Sequence, residues 1–213
     1  MPERVCRDFP LFPLGIVALP SESVPLHIFE ERYRRMIERC LQAGADAPER
    51  EFGIVWLSQA ELKPIGCACR IERVLERTAD GRMNIIVRGT RPFRLLERLE
   101  SLPYPAGVVE FLAEGEEDPD PRAASTARDL YRELVMAATD REIGAGELER
   151  MDAYRMAATV ELAIEAKQEL LELRSENARL RLLALLIRAA IERVALIERA
   201  QRRALSNGKV RFA

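Results

Sequence analysis

The residues able to do chemistry are few: one histidine, His27, four cysteines (Cys6, Cys40, Cys67, Cys69) and three lysines (Lys63, Lys167, Lys209) in a chain of 213 residues. A Ser-His-Asp triad would have to be built around His27, whose setting in P-L-H-I-F (Pro25 to Phe29) reads as structural. A serine and lysine dyad would draw on Lys63 or Lys167, and nothing in the residues around either supports one. Cys67-x-Cys69 would place two thiols on one face of a strand, with His27 or Cys40 completing a zinc site, yet the C-x₂₋₄-C spacing of such sites is absent. In a reducing compartment all four cysteines read instead as small buried hydrophobes. There is no G-x-x-x-x-G-K-[ST] loop, so P-loop nucleotide hydrolysis is not expected. The expectation is a protein without catalytic residues, cofactor or metal.

Charge narrows the partners. The first 112 residues are charge-balanced and the remainder carries the net charge of -2. Neither part has the basic excess with which nucleic-acid binders neutralise phosphates. Arg32, Arg34, Arg35 and Arg39 share one predicted helix, but Glu30, Glu31 and Glu38 offset them, which reads as a solvated face. The longest apolar run, Leu182 to Ile187, is far too short to span a bilayer, and M-P-E-R-V-C-R-D lacks a signal-peptide core. No nucleic acid, no membrane and a cytoplasmic location are therefore expected. A chain of this length buries on the order of 70% of its unfolded surface, and needs no disulfide or metal for stability.

The elements that must position any site divide into two parts. Pro10 and Pro13 make Phe9 to Leu14 extended and favour a sheet edge over a central strand. Pro20 and Pro25 bracket a turn, and Phe29, Tyr33, Met36, Ile37, Cys40 and Leu41 recur at helical spacing before a stop at Gly44. Phe52 to Leu57 reads as a buried strand. Ile65 to Leu75 and Met83 to Leu96 flank Asp80-Gly81, a strong hairpin signal, and Gly89 predicts a bulge or a close backbone approach. Ala106 to Leu112 is one further strand. The sum is an α+β chain whose first part, 1–112, is a small, mostly antiparallel β barrel or sandwich with one helix.

An acidic, proline-containing stretch, 113–121, reads as a linker, and 122–213 as a helical bundle. Asp120 caps a helix with Pro121 at its first position, and Ala127, Leu130, Tyr131, Leu134, Val135 and Ala138 make its apolar stripe. Gly144-Ala-Gly146 breaks the chain, Glu147 to Met156 predicts a short helix, and Ala157 to Arg174 another. Ser175 opens a helix of about thirty residues ended by Asn207-Gly208. Its apolar residues hold no strict heptad, which favours packing within the chain over an intermolecular coiled coil.

Several segments, in order, resemble the Lon protease N-terminal (substrate-binding) domain. They are P-L-F-P-L (Pro10 to Leu14), P-L-H-I-F-E-E-R-Y-R-R-M (Pro25 to Met36), F-G-I-V (Phe52 to Val55), I-G-C-A-C-R-I (Ile65 to Ile71) and V-R-G-T-R-P-F-R (Val87 to Arg94). K-Q-E-L-L-E (Lys167 to Glu172) is similar to the helical half of that domain, and the chain looks like the stand-alone bacterial members, without the ATPase and peptidase parts. The resemblance implies a PUA-like β domain followed by a bundle of about four helices. One departure stands out: Pro20-Ser21-Glu22-Ser23 occupies a turn where the family usually carries a glycine.

The function implied is a non-catalytic module that binds unfolded or tagged polypeptide, or a dedicated protein partner, in the form of an adaptor for proteolysis. Such a site would be an apolar groove or a sheet edge that accepts a strand. The bulky residues Phe29, Trp56, Tyr104 and Phe111 are its candidates, with a core role as the plainer reading of each. The alternatives are a hydrolase with a cleft between the two subdomains, for which the sequence shows only scattered Glu and Arg, and a PUA-like RNA-binding protein, against which the charge balance weighs.

Overall fold

A computed structural model describes residues 5–44, 50–59 and 61–207. In chain order the elements are β1 (Val5–Leu14), β2 (Ser23–Ile28), α1 (Glu31–Gln42), β3 (Glu51–Ser58), β4 (Glu61–Arg77), β5 (Met83–Leu99), β6 (Ala106–Phe111), α2 (Pro121–Thr139), α3 (Ala145–Glu149), α4 (Ala153–Ala157), α5 (Ile164–Glu172) and α6 (Glu176–Asn207). The strands form one mixed sheet in the order β2-β5-β4-β3-β1-β6, and a further β5–β6 pairing closes five of them into a barrel. β5 serves twice. Its first half pairs with β2 and the end of β4 as a ribbon, and its second half pairs with β6 to complete the ring. Phe9, Leu11, Val55, Ala68, Phe93 and Val109 make a core cluster of this barrel.

The proline-rich first strand is not at an edge. β1 runs parallel to β3 on one flank and antiparallel to β6 on the other. The Leu11 N–H donates to the Pro105 carbonyl at 2.8 Å, on the β6 flank, and successive residues alternate flanks, so Pro13 also faces β6 while Pro10 faces β3. The β6 register ends at Pro10 and the β3 register begins at Leu11. Each proline therefore lacks its N–H where no neighbouring strand would accept it, which is how a two-proline strand sits inside a barrel.

The expected hairpin is present, with Gly81 at φ 83° in the turn and Thr78 N–H bonded to Arg82 O at 2.9 Å. At Gly89 both expected features occur together. Thr90 is bulged between the pairs Cys69↔Gly89 and Ala68↔Arg91, and the Leu19 carbonyl lies where a Cβ on Gly89 would be, 2.1 Å from its ideal position. That contact ties the Pro20–Ser23 turn to the sheet: Gly89 N–H bonds Glu22 O at 2.9 Å and Ser21 N–H bonds Gly89 O at 2.8 Å. Ser21 itself is left-handed, φ 69°.

The first helix begins at Glu31, two residues after Phe29, and ends at an extended Ala43, one residue before the expected glycine. Tyr33, Met36, Ile37 and Cys40 are its buried stripe, whereas Phe29 stands outside the helix and is 59% exposed. In place of one helix over Glu147 to Met156 the chain makes α3 and α4, and in place of Ala157 to Arg174 only Ile164–Glu172 is helical. The Thr159 hydroxyl bonds back to Met156 O at 2.9 Å, satisfying a carbonyl at the end of α4. The Gly208 stop lies outside the described residues.

The chain groups into two compact units. One runs to Glu116 and takes in Tyr154–Arg174; the other holds Glu117–Ala153 and the described residues from Ser175 onward. A division at 113–121 assigns α5 to the helices, but its residues pack with the sheet. Lys167 pairs with Glu22 and reaches Val17 O at 3.4 Å, the Gln168 amide donates to Ile65 O at 3.1 Å, and Leu170 and Leu171 are buried. In the second unit Asp120 caps α2 through Arg122 N–H at 3.0 Å and Ala123 N–H at 3.2 Å, with Pro121 at the first position as expected. Ala123, Ala127, Tyr131 and Leu134 face inward, and α6 contributes Leu180, Leu183, Ala184 and Ile187. Arg179, only 2% exposed, pairs with Glu176 at 2.9 Å.

Candidate functional site

One concave surface on the β unit is a groove of about 350 Å³ with a largely apolar floor. Its floor comes from three strand ends. β1 supplies Leu11 to Leu14, past the point where β6 stops pairing, β3 and β4 supply Leu57 and Leu62 beside their connecting turn, and β5 and β6 supply Leu99 and Ala106. Leu57 is 42% exposed, because the pairing of β3 and β4 shifts register between Val55 and Leu57 and turns this leucine out of the core. One wall is the start of α1. There the Tyr33 ring packs on Phe12 with centroids 4.1 Å apart, and the Arg32 guanidinium lies 4.6 Å from the Tyr33 centroid. Burial raises the pKa of the Tyr33 hydroxyl against the opposing pull of Arg32, which keeps this phenol protonated.

The rim is charged on both sides. Arg32 pairs with Glu30 at 2.8 Å, and Arg98 and Glu100 stand opposite on the end of β5 and the residue after it. Pro13 faces the groove without an N–H, so the strand offers its carbonyl alone on this flank. The arrangement suits an extended chain segment read through its side chains, with few backbone bonds.

None of the four sequence candidates lines this groove. Phe29 is exposed just before α1 and stacks on His27, ring centroids 5.7 Å apart. Trp56 is half-buried on β3, beside Leu57, at the register position of Leu14. Tyr104 is buried, and its hydroxyl accepts from Arg39 at 2.7 Å. Phe111 closes the core edge-on to Phe9 at 5.4 Å, under an Arg91 guanidinium 3.6 Å from its centroid. Arg91 in turn holds the buried Glu51 carboxylate at 2.9 Å, which fixes β5 to β3. The structure thus spreads the four residues over core and surface. The residues that do converge are leucines at strand ends, and the one signal for them in the sequence is Leu57, an apolar residue continuing the buried Phe52–Val55 run into a turn.

The chemistry-bearing residues are likewise dispersed. His27 lies on the outer face of the ribbon with Nδ1 2.7 Å from Asn84 Oδ1, and Asn84 Nδ2 donates to Glu76 at 2.7 Å. With the Asn84 amide committed to that carboxylate, its oxygen faces the imidazole and Nδ1 is the donor. Cys67 and Cys69 are fully buried, and Cys69 Sγ donates to Cys67 O at 3.5 Å. Burial pushes the Cys67 thiol well up and the Cys40 thiol up to about 11. Among the described residues no group of three or more His, Cys, Asp or Glu could hold a metal ion, and no helix is long and apolar enough to cross a membrane.

Comparison with known proteins places this geometry. The model of the ATP-dependent protease La (LON) substrate-binding domain matches residues 8–189. The chain is 25% identical over 203 residues to Lon protease 2 of Herpetosiphon aurantiacus, a match covering 87% of this chain but only 24% of that protein. It is similar to the crystal structure of a Lon N-terminal domain protein from Xanthomonas campestris, with a TM-score of 0.62 and 25% identity over 84% of this chain and 97% of that one. The fold is also that of the N-terminal domain of the Mycobacterium avium complex Lon protease, with a TM-score of 0.61 and 22% identity over 85% of this chain and 98% of that one. With its six-stranded mixed sheet and following helices, the chain belongs to the family of LON substrate-binding domains.

Proposed function

We propose that this protein captures extended, unfolded polypeptide in the groove between α1 and the ends of β1, β3, β4, β5 and β6, and presents it to a protease as an adaptor. The reading is carried by one observation: in a member of a substrate-binding family, an open groove has a leucine floor and a rim bearing both charges. Apolar side chains that a folded protein hides are the feature common to unfolded chains, and Leu57 and Leu62 offer them apolar surface that binding would take out of water. The paired and unpaired charges of the rim orient a backbone without selecting one sequence.

Fluorescence anisotropy of the full chain against a labelled, permanently unfolded polypeptide tests the reading, with the folded form of the same polypeptide and single-stranded RNA as controls. Saturable binding of the unfolded form alone is expected, with Kd on the order of micromolar. Leu57→Asp should weaken it roughly tenfold, the loss of one apolar anchor of ~1.4 kcal/mol, and Phe29→Ala should leave it unchanged. Full binding by Leu57→Asp, or loss with Phe29→Ala instead, would move the site to the ribbon. Delivery is tested separately, by adding the chain to a Lon-type protease and timing degradation of the unfolded polypeptide.

A further inference from the structure

The second unit carries a groove unrelated to the leucine floor of the barrel. It has a volume of about 380 Å³ and lies between the first turns of α2 (Asp120, Arg122, Ala123, Thr126) and the matching stretch of α6 (Arg181, Ala184, Leu185, Arg188). Its shape follows from residue size: Ala123 and Ala184 are buried and small, so the two helices leave a trough above them. Leu185 lies on that trough and is 63% exposed, far more than the leucines of α6 that face the core.

Its charge is one-sided. Arg181 is satisfied by Asp120 at 2.6 Å, which leaves that carboxylate paired and already occupied by its helix cap. The side chains of Arg122 and Arg188 make no ion pair among the described residues, and no other acidic residue lines the groove. On α6 Arg181, Leu185 and Arg188 follow one another at helical spacing, which puts the leucine between two arginine positions whose backbones are about 10 Å apart along the axis at 1.5 Å per residue. A phosphate or a nucleic-acid backbone would use the charges and leave the leucine wet. A peptide that alternates carboxylates with an aliphatic side chain satisfies both.

We infer that the α2–α6 groove is a docking site for an acidic segment of a partner protein, in which carboxylates meet Arg122 and Arg188 and an aliphatic side chain covers Leu185. Guanidinium groups suit carboxylates through paired N–H donors, and unpaired ones on a surface keep that capacity open. Charge complementarity sets the partner class and makes association fall with salt.

The probe is a fluorescein-labelled peptide of repeated Glu-Leu-Glu units, titrated with the full chain by anisotropy. Companion peptides carry lysine for glutamate or serine for leucine, and single-stranded RNA and inorganic phosphate serve as competitors. The inference expects saturable binding of the Glu-Leu-Glu peptide, weakened tenfold or more by Arg122→Glu and by Arg188→Glu, and unchanged by Arg193→Glu on the same helix or by Leu57→Asp in the barrel groove. It is overturned if the peptide does not bind, if the serine peptide binds as tightly, if RNA or phosphate displaces the peptide at lower concentration than unlabelled peptide does, or if Arg193→Glu is as damaging as Arg188→Glu. Circular dichroism of the variants should match the parent, since all three arginines are exposed.

Discussion

Replacing Ser21 by glycine should make this protein more stable. Ser21 holds φ 69°, a left-handed conformation that brings the Cβ of an L-residue against its own backbone at a cost of roughly 1–2 kcal/mol. The side chain returns nothing for that cost, because the bonds at this position are made by the backbone: Ser21 N–H to Gly89 O at 2.8 Å, and Ser21 O accepting from Arg88 at 3.1 Å. Glycine keeps both bonds and removes the clash, while its freer unfolded chain gives back about 0.4–1 kcal/mol. The net is a stabilisation of roughly 0.5–1 kcal/mol, or about 1–4 °C in Tm for a chain of this size. Thermal unfolding followed by circular dichroism reads it directly. Ser21→Ala should be near neutral, since it keeps the Cβ, and Ser21→Val should lower stability by ~1 kcal/mol or more, β-branching being worst in this conformation. A Ser21→Gly protein no more stable than its parent, with Ser21→Val equally unaffected, would refute the reasoning.

Gly89→Ala acts on the other side of the same contact. A Cβ 2.1 Å from the Leu19 carbonyl must displace backbone, and losing the bonds that tie this turn to the sheet should cost ~3 kcal/mol or more in urea unfolding; a cost below ~1 kcal/mol would mean the turn yields freely. Thiol titration of the native protein at neutral pH should detect Cys6 first, the other three being buried, with the Cys40 pKa raised to about 11; two or more fast-reacting thiols would contradict this burial. Hydrogen bonds from Arg181 and the α2 backbone lower the Asp120 pKa, and those from Asn177 and Ser175 lower that of Glu117. Their stabilisation is therefore complete above the usual carboxylate range and is lost as pH falls through that range and below it, whereas Glu176, raised by burial, works in the opposite sense. Asp120→Asn should flatten the acid limb of a stability–pH curve, and an unchanged limb would assign acid unfolding to other groups.

Local chemistry made much of the fold legible. Asp80-Gly81 turns where a two-residue signal says it should, Asp120-Pro121 starts α2, and the apolar spacing of Tyr33, Met36, Ile37 and Cys40 faces the core. What the sequence hid depends on neighbours far along the chain. Pro10 and Pro13 argue for an edge until β3 and β6 are seen to stop pairing beside them. The placement of α5 rests on Lys167 meeting Glu22 and Gln168 meeting Ile65, contacts that no periodicity announces. The groove escaped for a related reason. Aromatic size drew attention to Phe29, Trp56, Tyr104 and Phe111, whereas concavity arose from leucines at the ends of separate strands, which only the closed barrel assembles.

The two units are interleaved in the chain, which crosses from one to the other after Glu116, Ala153 and Arg174. Synthesis from the N-terminus therefore yields a barrel whose last helix is still unmade. Until Glu172 has emerged, the Ile65 carbonyl lacks its Gln168 amide, Glu22 lacks its lysine, and the seat of Leu170 and Leu171 is wet. During that interval the nascent protein resembles the clients we propose it binds, exposing apolar surface that a chaperone would cover. The same interleaving means that no single cut frees either unit whole: trimming at residue 121 leaves a barrel without its helical cover, and a shortened form should retain the chain through Arg174.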